Sequence, residues 1–141
     1  MKSDQEKFYE LSYYTLSHKD PAFIHQHIVD AYGAQHADEN SKPVAVYFTL
    51  MGLYLYLEKN YTGRQVQLAH MKVAKNKKGW LKFNLPKSRG EITVSDVLNI
   101  PPGKNRDEMI RKWCVSVWDV YKEIQEKVRS YTEADLNSKD Y

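Results

Sequence analysis

From Val44 to Leu57 the chain runs through fourteen residues without a single charge. A membrane span needs about 20 such residues, so this stretch is expected as a helix walled in on every side by other helices. Lys42 and Pro43 open it with the fixed φ that suits a first helical turn. Gly52 inside it costs about 1 kcal/mol against alanine, which is expected to be compensated by the close approach of a neighbouring helix. A wholly apolar helix needs cover, and the rest of the chain reads as that cover: an all-α bundle of about five helices.

Ser3 and Glu6 have capping-box spacing, and Phe8, Tyr9, Leu11, Tyr13 and Leu16 follow on a broad apolar face, which predicts a first helix over 4–17. Asp20 as cap and Pro21 at the first helical position predict a second, running to about Asp38. After the break at 60–63, Thr62 and Gln65 repeat the capping spacing and start a fourth over 64–75, with Val66, Ala69 and Val73 on one face. Residues 76–104 hold three prolines and three glycines and read as a long structured connection. Thr93 and Asp96 cap one short helix within it, or a strand forms at 91–94. Asn105 and Glu108 start the last helix, whose Ile110, Trp113, Val117, Tyr121, Ile124 and Val128 recur at spacings of three and four to about Tyr131. Residues 1–131 are expected as a single helical domain and 132–141 as a polar tail.

At 141 residues the chain can bury a real core as one domain. Its net charge of +3 falls short of a dedicated polyanion binder. The lone Cys114 sits among apolar neighbours and reads as packing, with no intrachain disulfide to make. The polar N-terminus carries no apolar run, so a cytoplasmic location is expected and a membrane is not. One charge asymmetry stands out: from Lys59 to Arg89 there are nine lysines and arginines and no acid. With Trp80 and Phe83 interleaved, that segment has the ingredients of a nucleic-acid or acidic-partner surface. Against this, Trp80, Leu81, Phe83 and Leu85 are better used to anchor the long connection onto the helices.

The chemically dense stretch is His25 to His36, with three imidazoles, a carboxylate, two amides and a phenol. At 100° per residue His25, Val29, Tyr32 and His36 fall within about 60° of one another, on the face expected to point inward. Tyr32 and His36, one turn apart, are placed to bond phenol to imidazole. His25 and His36 lie about 16 Å apart along the axis and cannot share an ion. His27 and Asp30 stand at i, i+3, able to hold one cation or each other. His70 is the natural third ligand from another helix, so His25, His27, His36 and His70 are the metal candidates, for a divalent ion if any. No strong cysteine or HExxH spacing, nucleophile elbow or phosphate-cradling loop is present.

The runs Val29-Asp30-Ala31-Tyr32…Gln35-His36 and Thr93-Val94…Asp96-Val97, with Pro43 to Val46, Leu57-Glu58, Trp80-Leu81 and Trp113…Trp118, resemble a family of small uncharacterised bacterial helical proteins over about residues 8–131. The resemblance implies no activity. It implies that His25, Asp30, Tyr32, Gln35 and His36 are the motif positions, and they are taken as the candidate ligand-binding set. Members often carry a cysteine pair before the first helix; this chain has none, so no zinc site carries over. Asp30 is the informative position, because the wheel sets it opposite the apolar stripe: if the motif is functional, something covers that face.

The function expected is therefore a binding or interaction module with a polar network on its second helix and a tyrosine-rich surface for a partner or homodimer. The rival is a metal-dependent enzyme on a histidine-bearing bundle, by fold-level analogy with the damage-inducible four-helix-bundle family.

Overall fold

A computed structural model describes residues 2–76 and 79–137. Among them are seven α-helices, one 3-10 turn and no strand. Helix α1 (Asp4–Leu16) opens with both bonds of its capping box: the Glu6 amide donates to Ser3 Oγ (3.1 Å) and the Ser3 amide to Glu6 Oε1 (3.2 Å).

Helix α2 spans His25–Gln35, four residues shorter at its start than Pro21 predicts. Asp20 does accept backbone N–H groups, from Ala22 (3.0 Å) and Ile24 (2.7 Å), but it closes a local turn rather than a helix. Phe23 in that turn takes a left-handed backbone (φ 60°). The turn is pinned from outside: the Arg64 amide donates to the Ala22 carbonyl (2.9 Å), and Gly63 presses so closely on the Phe23 carbonyl that a Cβ would overlap it.

Helix α3 (Pro43–Lys59) is the covered apolar rod, in contact with α2, α4, α6 and α7. Asn60 ends it in the left-handed conformation (φ 58°), and the Tyr61 amide returns to the Leu55 carbonyl (3.0 Å). Helix α4 (Gly63–Asn76) starts with the expected Thr62–Gln65 capping bonds. Among the connecting residues Lys77 and Lys78 lie outside the described residues. Beyond them, Trp80 packs edge-on against Phe48 (5.4 Å between ring centroids), and Phe83 packs on Tyr47 (5.9 Å) and Tyr131 (6.3 Å). These rings anchor the connection, while Leu81 is left exposed. The short helix is α5 (Val94–Leu98), capped by Thr93 and Asp96, and no strand forms at 91–94. Arg106, buried, donates to the Leu98 and Ile100 carbonyls at its end.

The single last helix expected to run to Tyr131 is two helices. Helix α6 (Lys104–Val120) stops, a 3-10 turn covers Lys122–Ile124, and α7 (Gln125–Leu136) begins. The Trp118 carbonyl released at the break accepts from Gln125 Nε2 (2.9 Å) and the Tyr121 amide (3.1 Å). Tyr121 donates its hydroxyl to the Ala34 carbonyl (2.6 Å), fixing the corner on α2. Neither glycine nor proline marks this break, and the apolar spacing runs straight through it. The bend lays α7 along α3, where Arg129 forks onto Glu58 (2.8 Å to each oxygen) and the Tyr54 and Tyr47 hydroxyls donate to Glu133 and Asp135 (2.6 Å each). Helix α7 continues past Tyr131 to Leu136, with Thr132 fully buried.

Gln35 ties three parts together. Its Nε2 donates to the Arg89 (2.9 Å) and Ile92 (2.7 Å) carbonyls, and its Oε1 accepts from Trp113 Nε1 (3.0 Å). Replacing it with leucine strands these groups inside, so Gln35→Leu is expected to lose about 3 kcal/mol in urea denaturation. Amide exchange in residues 79–93 is expected to accelerate more than exchange in α3.

Candidate functional site

The inward arc of α2 is His27, Ile28, Asp30, Ala31, Ala34 and Gln35. This corrects the orientation read from the sequence, which turned His25, Tyr32 and His36 to the interior. The alanines explain the difference: Ala31 and Ala34, fully buried, let α2 lie close against α3 and α6, and the larger rings turn outward.

The expected ligand set is dispersed. His36 is exposed; its Nδ1 donates to the Tyr32 carbonyl (2.9 Å) and its Nε2 faces Asp4 (3.3 Å). Its ring stacks on Tyr32 (4.0 Å), which stacks on Phe8 (4.2 Å), making a surface column rather than a phenol-to-imidazole bond. His25, half-buried, reaches Thr15 Oγ1 (2.9 Å). Gln35 serves the tether described above. His70 donates Nε2 to the Phe48 carbonyl (2.8 Å) and stacks on the Phe48 ring (4.8 Å). Among the described residues no three His, Cys, Asp or Glu side chains are grouped to hold a metal ion.

What the structure does bring together is Asp30, His27, Cys114 and Tyr56. Asp30 is 2% exposed, and its carboxyl group occupies the space a side chain at Gly52 would fill. That is the close approach the glycine in α3 announced. Oδ1 accepts from Gln26 Nε2 (3.1 Å), while Oδ2 has no hydrogen-bond partner among the described residues. Burial raises its pKa well above the ordinary carboxylate value, against a small lowering by Gln26. Burial likewise pushes the Cys114 thiol up, with the nearby Asp30 adding to it. That thiol donates weakly to the His27 carbonyl (3.6 Å) and is no nucleophile.

His27 is 5% exposed and stacks face to face on Tyr56 (3.5 Å between centroids, 10° between planes). Burial holds its pKa down at about 4, and Nδ1 is buried without a partner among the described residues. The Arg111 guanidinium lies over the other half of this assembly, 5.1 Å from the Tyr56 ring centroid. Together His27, Tyr56 and Arg111 line a cleft of about 540 Å³ rimmed by His18, Lys19 and Asp20. Tyr56 and Arg111 were not foreseen. Each belongs to an otherwise ordinary helical pattern, and only the placing of α3 against α6 makes them neighbours.

The match to known families covers α1 to α6. The chain belongs to the Family of unknown function (DUF5946), whose model matches residues 4–122. The DUF5946 match thus ends at the 3-10 turn, and α7 lies beyond it. No curated protein and no solved structure matches the chain.

Gly52→Ala drives a methyl group into the Asp30 carboxyl group and is expected to cost about 3 kcal/mol in chemical denaturation. In Gly52→Ala/Asp30→Ala the loss should be clearly less than the sum of the two single losses, because one atom set causes both. Titration gives a second check. His27 binds its proton more weakly folded than unfolded, so it subtracts stability as pH falls from 6.5 toward 4. Relative to wild type, His27→Phe is expected to gain up to about 3 kcal/mol over that window. Asp30 has the opposite sign: its folded pKa is raised, so stability is lost as pH climbs above 3.8, and Asp30→Asn should gain on wild type there.

Proposed function

We propose that this protein is a binding module for a small anionic ligand with a flat or apolar body, taken into the cleft between the 18–24 turn, α3 and α6. The observation that carries this reading is the His27–Tyr56–Arg111 stack at the cleft wall. It offers an apolar ring surface and a guanidinium side by side, the pairing that small-molecule sites use to hold a body and orient a charge. The cleft lining holds two cations, Lys19 and Arg111, and two carboxylates, Asp20 and Asp107, so the case for an anion rests on which of these groups are already engaged. Both oxygens of Asp20 already accept backbone amides, and Asp107 accepts the Tyr14 hydroxyl (2.7 Å). Arg111 and Lys19 make no salt bridge among the described residues, Arg111 being engaged with Tyr56 rather than with a carboxylate, so these two cations are the ones without a counter-ion in the cleft. The buried His27, neutral at pH 7, adds a polar edge without adding charge.

The reading is tested with small aromatic carboxylates, phosphate monoesters and mononucleotides in a heteronuclear NMR titration. Saturable shifts are expected at Tyr56, His27 and Arg111, and Arg111→Ala should weaken the best ligand at least about tenfold, or 1.4 kcal/mol. Since Arg111 is exposed, its loss is expected to leave the fold intact, which an unchanged circular dichroism spectrum checks. Saturable shifts centred elsewhere, or no saturation with any anion, would overturn the proposal.

A further inference from the structure

Two helices turn apolar side chains to solvent at helical spacing. On α1, Tyr9, Tyr13 and Leu16 stand one turn apart along a single stripe, each more than half exposed, with Tyr13 at 78%. On α4, Leu68 and Met71 do the same. Scattered exposed apolar residues mean little, but stripes along a helix are the form in which helices pack on one another. Among the described residues nothing is placed over either stripe.

The charges beside the two stripes are opposite. Helix α1 carries exposed Glu6 and Glu10 on the side of its stripe, Glu10 already bound by Lys2 (2.8 Å), while Asp4 lies on the opposite side of the helix facing His36 (3.3 Å). Helix α4 carries exposed Arg64, Lys72 and Lys75 and no acid. On the helical wheel Glu6 lies beside Tyr13, and Arg64, Lys72 and Lys75 lie around Leu68. One surface is therefore acidic and tyrosine-rich, the other basic and aliphatic, and each supplies what the other lacks. Two α1 stripes would face acid to acid, and two α4 stripes base to base, so neither stripe is suited to itself.

We infer that α1 of one copy docks on α4 of a second copy. The contact is heterologous: used reciprocally it closes a pair, and used in one direction it propagates a chain of subunits. Stripe against stripe buries the apolar residues, and the flanking charges set which helix meets which. The cleft is on neither stripe, so this association is independent of the ligand reading above.

Sedimentation velocity on the full chain, from micromolar to near-millimolar concentration, reads it directly. Wild type is expected to shift from monomer toward dimer or larger species as concentration rises, and to return toward monomer in high salt. Tyr13→Glu and Met71→Glu change only exposed side chains, and each is expected to be monomeric with an unchanged circular dichroism spectrum. The decisive arm mixes them. The first variant keeps an intact α4 and the second an intact α1, so an equimolar mixture should give a heterodimer although neither variant associates alone. A wild type that stays monomeric throughout would overturn the inference. So would a Met71→Glu protein that still dimerises, the mark of an α1-to-α1 contact, or a mixture that stays monomeric. A monomer whose α4 surface binds only nucleic acid would overturn it too.

Discussion

The structure depends on a helix with no polar side. Because α3 exposes apolar atoms all around its middle, it lowers its free energy only by being surrounded, and α2, α4, α6, α7 and the connecting segment are arranged as its walls. Its polar atoms reach the walls where they can be satisfied. The tyrosine hydroxyls at 47 and 54 find carboxylates on α7, and Glu58 binds both Arg129 and the Trp118 indole (2.9 Å). A covered helix with tyrosines at intervals gains apolar burial from the rings and direction from the hydroxyls.

Within that frame, one carboxyl group is buried where leucine or alanine would pack more cheaply. Asp30 faces the backbone of α3 at the one position without a side chain. Leaving a carboxyl oxygen unpaired in the interior costs about 1–3 kcal/mol, so selection for stability alone does not place it there. The same is true of the unpaired His27 nitrogen one turn earlier. Two buried polar atoms without a partner among the described residues, on one arc of one helix beside a cleft, mark a region where stability has been given up.

Much of the fold was legible because its signals are local. The capping pairs Ser3–Glu6, Thr62–Gln65 and Thr93–Asp96 form, whereas Asn105 with Glu108 does not, α6 starting at Lys104 from Gly103 without a side-chain cap, and the fourteen-residue apolar run is the central helix. Gly52 correctly announced a close approach. The larger failures have one character: tertiary contacts overrode a local preference. Pro21 fits a first helical turn, yet Asp20 closes a tighter turn that Gly63 and Arg64 lock from another helix. Tyr121 continues the apolar period, yet its hydroxyl is recruited by Ala34 and the helix breaks there without any breaker residue. The orientation of α2 followed the largest apolar and aromatic side chains, whereas close helix packing selected the alanines. Hence Asp30 and His27 entered the interior, and Tyr32 and His36, expected inside, did not. Tyr56 and Arg111 carry no sequence signal at all, since nothing local distinguishes a site residue contributed singly by two helices far apart in the chain.

The left-handed Phe23 backbone bears on how the wall of the cleft is held. A non-glycine residue held at positive φ persists only where its surroundings over-determine it, and here the Asp20 carboxylate, the Arg64 amide and the bare Gly63 backbone do so from three directions. One wall of the cleft is thus held in place by the fold itself. For the ligand proposed above that means no loop to freeze on binding, and the entropy that ordering a mobile lip would consume would be retained as affinity.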